Sequence, residues 1–329
     1  MKKQFFLGAL LFTTIYSIAQ EAKEEFKPNG KPLFNVFWNY HADLTADASK
    51  TSAFQLKRAY LGYNYNFSET ISVKVSLDVG SNDGGSAYTA FLKAAQLDWE
   101  AASAVKLSIG LIGMKQFKDQ EKFWGYRYIF KSFQDQNGFG SSADLGINAE
   151  FKIAKNLKAN VLIVNGEGYK QIQDVDGKQK FGGSLIYTPV NGLTTKVYAD
   201  TQAVEDGDAV SSYSLFAGYK EDKWRLGAEY NKLNNAEKYS KPAEDKELDG
   251  LSFYGTYVIS KKVEIFGRFD QLRSNDDWNT SKDGNQIIAG VQVAPVKGLK
   301  FALNYQGYSF DNDAINTNSL IYLNAQFKL

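Results

Sequence analysis

The chain has 329 residues, 43% hydrophobic and 15% aromatic, with 38 Lys and Arg against 37 Asp and Glu, one histidine and no cysteine. That near-balance of charge excludes electrostatic binding of nucleic acid over the whole surface, and the missing thiols exclude disulfides and thiolate chemistry. The single histidine, His41, excludes a histidine-rich metal centre, and neither a cofactor nor a metal is predicted.

Lys2 and Lys3 precede an apolar run from Phe5 to Ala19 that is too short for a stop-transfer helix, so residues 1–19 read as a signal peptide. Ser17 and Ala19 stand at the spacing a signal peptidase needs, which puts cleavage after Ala19. Loss of the two leader lysines takes the formal charge from +1 to −1. The charged stretch "QEAKEEFKPNGK", residues 20–31, is expected to be a short periplasmic segment, with the folded body at 32–329. Beyond the leader no apolar run reaches about 18 residues, so no transmembrane helix is available. A membrane barrel is still open to such a chain, because its apolar residues fall on alternate positions.

Period-2 alternation bounded by turn residues recurs along almost all of the remaining chain. In "FQLKRAYLGYNYNF", residues 54–67, Ala59, Leu61, Tyr63, Tyr65 and Phe67 share one face and Arg58 lies on the other. Lys57 shares the apolar phase, so it is expected at the upper edge of the apolar band, snorkelling to headgroups. "TISVKVSLDV" sets Ile71, Val73, Val75, Leu77 and Val79 against Ser72, Lys74, Ser76 and Asp78. "AVKLSIGLIG" divides Val105, Leu107, Ile109 and Leu111 from Lys106 and Ser108, and "KWRLGAEYN" divides Trp224, Leu226, Ala228 and Tyr230 from Arg225 and Glu229.

Short turns are predicted near Ser68, Ala102, Ala154, Asn191, Asp222, Lys261 and Lys297, at intervals of about 35 residues with one long exception. Two strands of about ten residues and one longer loop fill such an interval, the hairpin repeat of an outer-membrane barrel. The predicted fold is therefore all-β: a transmembrane antiparallel barrel of about 16 strands, with 14 or 18 as alternatives. Strand starts fall near Pro32, Ala53, Thr70, Thr89, Ala104, Ala143, Asn156, Lys178, Leu193, Ala209, Trp224, Leu248, Val263, Asn285, Leu299 and Thr317. Seven short turns alternate with eight longer loops, and an even count brings both chain ends to the turn side.

A soluble sandwich or propeller would also alternate apolar-in and polar-out. Against it stand Tyr65, Phe67, Trp99, Phe151, Tyr187, Tyr219, Trp224 and Tyr257, which lie beside the short turns in the apolar phase, as an interfacial girdle does. The closing segment "SLIYLNAQFKL" alternates to a final Leu329 and resembles the C-terminal signal read by barrel-assembly machinery, which usually ends in phenylalanine.

A barrel of this strand number encloses an aqueous bore. Strand phase nominates Arg58, Lys74, Asp78, Lys106, Arg225, Glu229, Glu264, Arg268 and Asp270 as wall charges, each with the alternative of pairing across the ladder and only holding shape. The long exception, "KQFKDQEKFWGYRYIFKSFQDQNGFGSSA", is the longest loop and follows the fifth strand; Phe117, Phe123 and Trp124 among charged residues suit a short amphipathic helix. It contributes Lys115, Lys118, Lys122, Arg127 and Lys131 against Asp119, Glu121 and Asp135, and that basic excess predicts a modest anion preference.

The opening segment follows the form F-x-L-[KR]-R-A-x-L-G, then a turn and a second strand ending in L-D. Phe54, Leu56, Lys57, Arg58, Ala59, Leu61 and Gly62, with Leu77 and Asp78, carry this likeness to the phosphate-selective porin O and P family. "LKAAQLDWEAASAVKLSIGLIGMKQF" resembles that family's next hairpin, with Ala95, Leu97 and Trp99 leading into the glycine-punctuated strand. The likeness covers about a third of the chain after the leader; a proline expected just after Lys115–Phe117 is absent, and the wall charges form no arginine or lysine ladder, so phosphate selectivity does not carry over. What the resemblance implies is a passive outer-membrane channel of a Gram-negative cell, trimeric by family habit, through which ions and small hydrophilic solutes diffuse. It also implies that the loop after the fifth strand folds into the bore as a constriction; an extracellular flap is the alternative.

Two other classes compete. A barrel enzyme of the phospholipase or protease kind needs a base beside its nucleophile, and His41, read as a solvated loop residue, has no serine motif near it; the chain is not expected to be an enzyme. A surface adhesin or scaffold with a plugged bore is the third reading. "SNDGG" and "DVDGK" hint at calcium but lack the twelve-residue loop with its terminal glutamate and read as turns.

Overall fold

A computed structural model of the chain describes residues 26–47, 49, 51–81 and 87–329. The expected signal peptide, residues 20–25 of the 20–31 segment and all of "SNDGG" after Ser81 lie outside the described residues. Sixteen strands run in chain order: β1 (Asn29–Asp43), β2 (Ser52–Asn66), β3 (Ile71–Gly80), β4 (Thr89–Ala102), β5 (Val105–Gly113), β6 (Ala143–Ala154), β7 (Leu157–Val164) and β8 (Lys180–Tyr187). They continue with β9 (Leu193–Gln202), β10 (Val210–Lys220), β11 (Trp224–Lys238), β12 (Lys241–Ser260), β13 (Val263–Ser274), β14 (Gly284–Val296), β15 (Leu299–Phe310) and β16 (Asn318–Lys328). Each pairs antiparallel with its sequence neighbours, and β1 closes on β16 with Trp38 opposite Ala325, so the sheet has no free edge. Closure is what lets every ladder donor and acceptor be satisfied without water.

The alternation settles which face is which. Leu61, Tyr63, Leu77, Trp99, Ile109 and Leu226 lie on the exposed outer surface, whereas Ser76, Asp78, Ser108 and Glu229 are buried inside. Seven short turns, all at the predicted places, gather at one end, where Tyr65 packs on Phe67 at 4.9 Å and Trp224 on Tyr257 at 4.6 Å. Both described chain ends meet there: the Leu329 N–H donates to the Phe34 carbonyl at 3.1 Å.

Two boundaries differ from the sequence reading. β1 begins at Asn29 rather than Pro32, because Asn29, Gly30 and Lys31 pair with Asn66, Tyr65 and Asn64. β12 begins at Lys241 rather than Leu248, so the sixth of the eight longer loops is in fact a two-residue turn, Tyr239–Ser240, on an extended hairpin. Residues of low strand propensity hide that extension: the register shifts on either side of Ala236, and Asn235 and Asp245 take positive φ values of 56° and 58°, a conformation these two side chains tolerate. The hairpin tip touches the long loop, with the Tyr239 N–H donating to the Gly138 carbonyl at 2.8 Å. His41 lies on β1, its ring 5.6 Å from that of Tyr322, and is not a solvated loop residue.

Candidate pore and constriction

Residues 114–142 leave β5 and turn inward. Two short helices, α1 (Lys118–Trp124) and α2 (Phe133–Asn137), each end on a left-handed glycine, Gly125 at φ 75° and Gly138 at φ 73°. Side chains would be strained at such angles, and a Cβ on Gly125 would stand 2.6 Å from the Arg225 guanidinium. The helices seat their rings on the inner wall of β10 to β14. Trp124 stands 5.8 Å from Tyr254 and 5.9 Å from Phe266, Tyr126 packs on Phe266 at 4.3 Å, and Phe123 on Phe216 at 5.3 Å. Wall glycines make room for them, since a Cβ on Gly250 would stand 2.0 Å from the Phe133 ring and one on Gly218 2.7 Å from that of Phe123. The loop thus occupies the barrel interior, as the inward-folded reading requires, and the flap alternative is excluded.

Polar anchors fix the loop at both ends of this seat. Gln116 donates to Ser212 at 3.2 Å, Gln120 and Gln134 to Ser214 at 3.3 and 3.1 Å, and Tyr128 to Gln292 at 3.0 Å. The Lys196 ammonium, buried on β9, donates to the Lys115 carbonyl at 2.6 Å and to Asp119 at 3.1 Å. Burial alone would raise the Asp119 carboxyl, but Lys196 and Lys122 outweigh it and hold the group below the ordinary carboxylate range. Asp135 behaves alike: burial opposes ionisation, and Arg127 at 3.2 Å with Lys131 at 3.6 Å overcomes it.

The sequence nominated nine wall charges, and the loop divides them. Glu264, Arg225, Arg268, Asp270 and Glu229 all point inward but lie under or beside the loop. Glu264 accepts from Tyr126 at 2.7 Å and lies 3.8 Å from Arg225; Arg268 forks onto Asp270 at 2.6 Å and donates to the Lys131 carbonyl at 2.7 Å. Glu229, Arg268 and Asp270 are buried, so their role as free bore charges is corrected to that of a seat for the loop, whereas Arg225 and Glu264 stay partly exposed beside it. The opposite side stays open. There Arg58 pairs with buried Asp78 at 2.7 Å, Lys106 with Asp98 at 3.5 Å, and Lys74 has no ion pair among the described residues.

Three adjoining cavities of about 390, 290 and 210 Å³ run down this open side, and Arg127 lines all of them. Together their linings hold ten basic residues, Lys57, Arg58, Lys74, Lys93, Lys118, Arg127, Lys131, Lys170, Lys238 and Lys328, against two acidic ones, Glu121 and Asp135. Of the remaining loop charges, Lys115 bonds Glu150 at 2.8 Å and Lys122 bonds Asp119 at 3.3 Å, outside these cavities.

Lys57 overturns an expectation. It does not snorkel to headgroups: the β1–β2 register jumps from Phe37 opposite Arg58 to Trp38 opposite Leu56, which leaves Lys57 as the extra residue of a bulge. A bulge re-aims a side chain, and this one turns Lys57 into the bore beside Arg58, lining the same cavity as Arg127 and Lys131. The device is repeated two strands on. Ser76 faces Ala94 and Leu77 faces Leu92, so Lys93 is also a bulge residue, and its ammonium sits 3.9 Å from the centre of the Tyr169 ring. Lys93 and Lys170 were not nominated from sequence. The signal that marks Lys93 is the one that marked Lys57: a lysine in the lipid-facing phase, here that of Ala95, Leu97 and Trp99. The loop's seat had a signal too, since Phe216, Tyr254, Phe266 and Ile288 occupy the inward phase of their strands.

No protein-family model matches this sequence, and no curated protein does. Solved structures do match over nearly the whole chain. An anion-selective porin from Comamonas acidovorans superposes with a TM-score of 0.67 at 11% identity, covering 92% of this chain and 100% of that one. Pseudomonas putida OprB gives 0.67 at 10% identity over 91% and 94% of the two chains, and Salmonella typhi OmpF in complex with daunomycin 0.66 at 11% over 91% and 97%. At such identities the likeness is one of fold: the chain has the closed sixteen-stranded architecture of the outer-membrane porins.

Proposed function

We propose that this chain is an outer-membrane porin, a passive channel for ions and small hydrophilic solutes with a preference for anions. The observation that carries the reading is the line of cavities past the docked loop, with ten basic residues on its walls and two acidic. Lys57, Lys74 and Lys170 have no ion pair among the described residues, so they bring positive charge to the path and raise the local concentration of anions. The apolar outer band and the ring-lined turn end fit a lipid bilayer. Export by the leader, insertion by barrel-assembly machinery through β16, and assembly as a homotrimer complete the proposal; the last follows the resemblance of the opening third to the phosphate-selective porin O and P family. The proposal includes no cofactor and no catalytic site.

Reversal potential across a planar bilayer in a potassium chloride gradient tests it. The expected sign is that of a chloride preference, and Lys74→Glu moves the potential toward potassium. Arg58 is unsuited to this test, because a glutamate there would face the buried Asp78 carboxylate. Insertions that never conduct would remove the channel and leave the scaffold reading; a cation preference in the unmodified protein would remove the anion preference alone.

A further inference from the structure

Above the constriction, on the loop side, lies a cavity of about 600 Å³ that the porin reading leaves unexplained. Phe130, Tyr308, Phe310 and Tyr322 give it an aromatic wall, with the Tyr308 and Phe310 rings 4.8 Å apart. Gln136, Gln286, Gln306 and Asn318 add neutral amides. Gln286 is only 8% exposed, and its amide makes no hydrogen bond among the described residues, so its donors and acceptor are left to whatever fills the cavity. Lys238, Lys241 and Lys282 bring positive charge without ion pairs among the described residues, while the one carboxylate, Glu237, is taken by Lys246.

The same pairing of ring and cation continues downward. Phe130, Gln136, Gln306 and Tyr322 line this cavity and also the next one, where Phe37 and Tyr128 face Lys57, Arg58 and Arg127. Phe37 and Arg127 carry on into the lowest cavity, where Tyr60, 5.7 Å from Phe37, faces Lys74 and Lys93. An inorganic anion has no use for the rings, and a neutral solute has none for the lysines. A solute with apolar faces, several hydroxyls and a carboxylate uses all three kinds of group: rings against the C–H face of a pyranose, amides for hydroxyls, lysines for the acid.

We propose that the mouth and the path below it form a binding track for an acidic saccharide of about two sugar units. This deepens the porin reading and rests on it for the transport step, though the binding step stands apart from conduction.

Calorimetric titration of the detergent-purified full chain with digalacturonate, maltose and acetate tests the binding step, and blockade of bilayer current by the same three solutes tests the track. Digalacturonate is expected to bind at least about tenfold tighter than either maltose or acetate. Tyr322→Leu and Lys241→Gln are each expected to weaken it about fivefold or more, with folding checked by retained resistance to unfolding in SDS. Digalacturonate binding no tighter than maltose or acetate, or unchanged in both folded variants, overturns the inference. Open channels without digalacturonate binding sink the inference and leave the porin; digalacturonate binding without conduction sinks the porin reading and leaves the site.

Discussion

Phe133→Ala tests whether the loop's seat holds the constriction. The Phe133 ring is fully buried, packs on Phe139 at 5.5 Å, and lies against Gly250 of β12, which offers no side chain to fill the space the ring would leave. A laddered strand cannot collapse into that space, so the cost belongs in the range for buried aromatic truncation, about 3–5 kcal/mol. Set against docking of the loop alone, about 3 kcal/mol shifts the docked-to-free ratio by about two powers of ten. Single-channel conductance should rise and fluctuate, and protease added to proteoliposomes should cut between Lys118 and Lys131 where the wild type resists. Gly250→Leu by itself drives a side chain into the ring and costs about 1–3 kcal/mol by overpacking. Combined with Phe133→Ala it refills the hole from the wall side, so the pair should be less damaging than the two effects added. Strict additivity, or a Phe133→Ala channel indistinguishable from wild type in conductance and cleavage, would refute the argument that this contact seats the loop.

Two further tests use the same geometry. Because the chain has no cysteine, Lys57→Cys and Leu61→Cys can be probed cleanly with a charged, membrane-impermeant thiol reagent: the bulge predicts rapid modification and a fall in current at position 57, and none at 61. Equal reactivity would return Lys57 to the lipid face. Lowered pH should release the loop only at its acid extreme. Asp119 and Asp135 have folded pKa values below the usual 3.8, so their ion pairs stabilise docking fully above that value, and the stabilisation is lost as pH falls through the depressed folded values. The part of the conductance that these two ion pairs control should therefore rise only below about pH 4 and be absent from the double variant Asp119→Asn, Asp135→Asn; a rise below about pH 4 that persists in the double variant would contradict the pairing of these carboxylates with Lys196 and Arg127.

Much of this protein is written in local pattern. Side chains alternate with a period of two on a strand, so Leu61, Leu77, Ile109 and Leu226 could be placed outside, and Ser76, Asp78 and Glu229 inside, from spacing alone. Turn residues fixed fifteen of the sixteen strands to within a few residues, and the exception, β12, carries bulges and a two-residue tip that break the pattern. Phase failed at Lys57 for the same kind of reason: one inserted residue reverses every position beyond it, and only the pairing with β1 reveals where the insertion sits.

What strand spacing could not decide is which inward charges meet solvent. Arg58 and Arg268 are equivalent by phase, yet Arg58 lines two open cavities and Arg268 is covered, because residues 114–142 seat their rings chiefly against β10 to β14 and leave cavities between the loop and the β1 to β5 side. That choice rests on contacts among rings and glycines far apart in the chain, such as Trp124 with Phe266 and Phe133 with Gly250. Sequence by itself determined a barrel with a polar interior, since a strand's two faces are set by its own residues. The basic path along one side of that interior exists only once the loop has been docked against the other, since burial is a property of what packs on a residue and not of the strand that carries it.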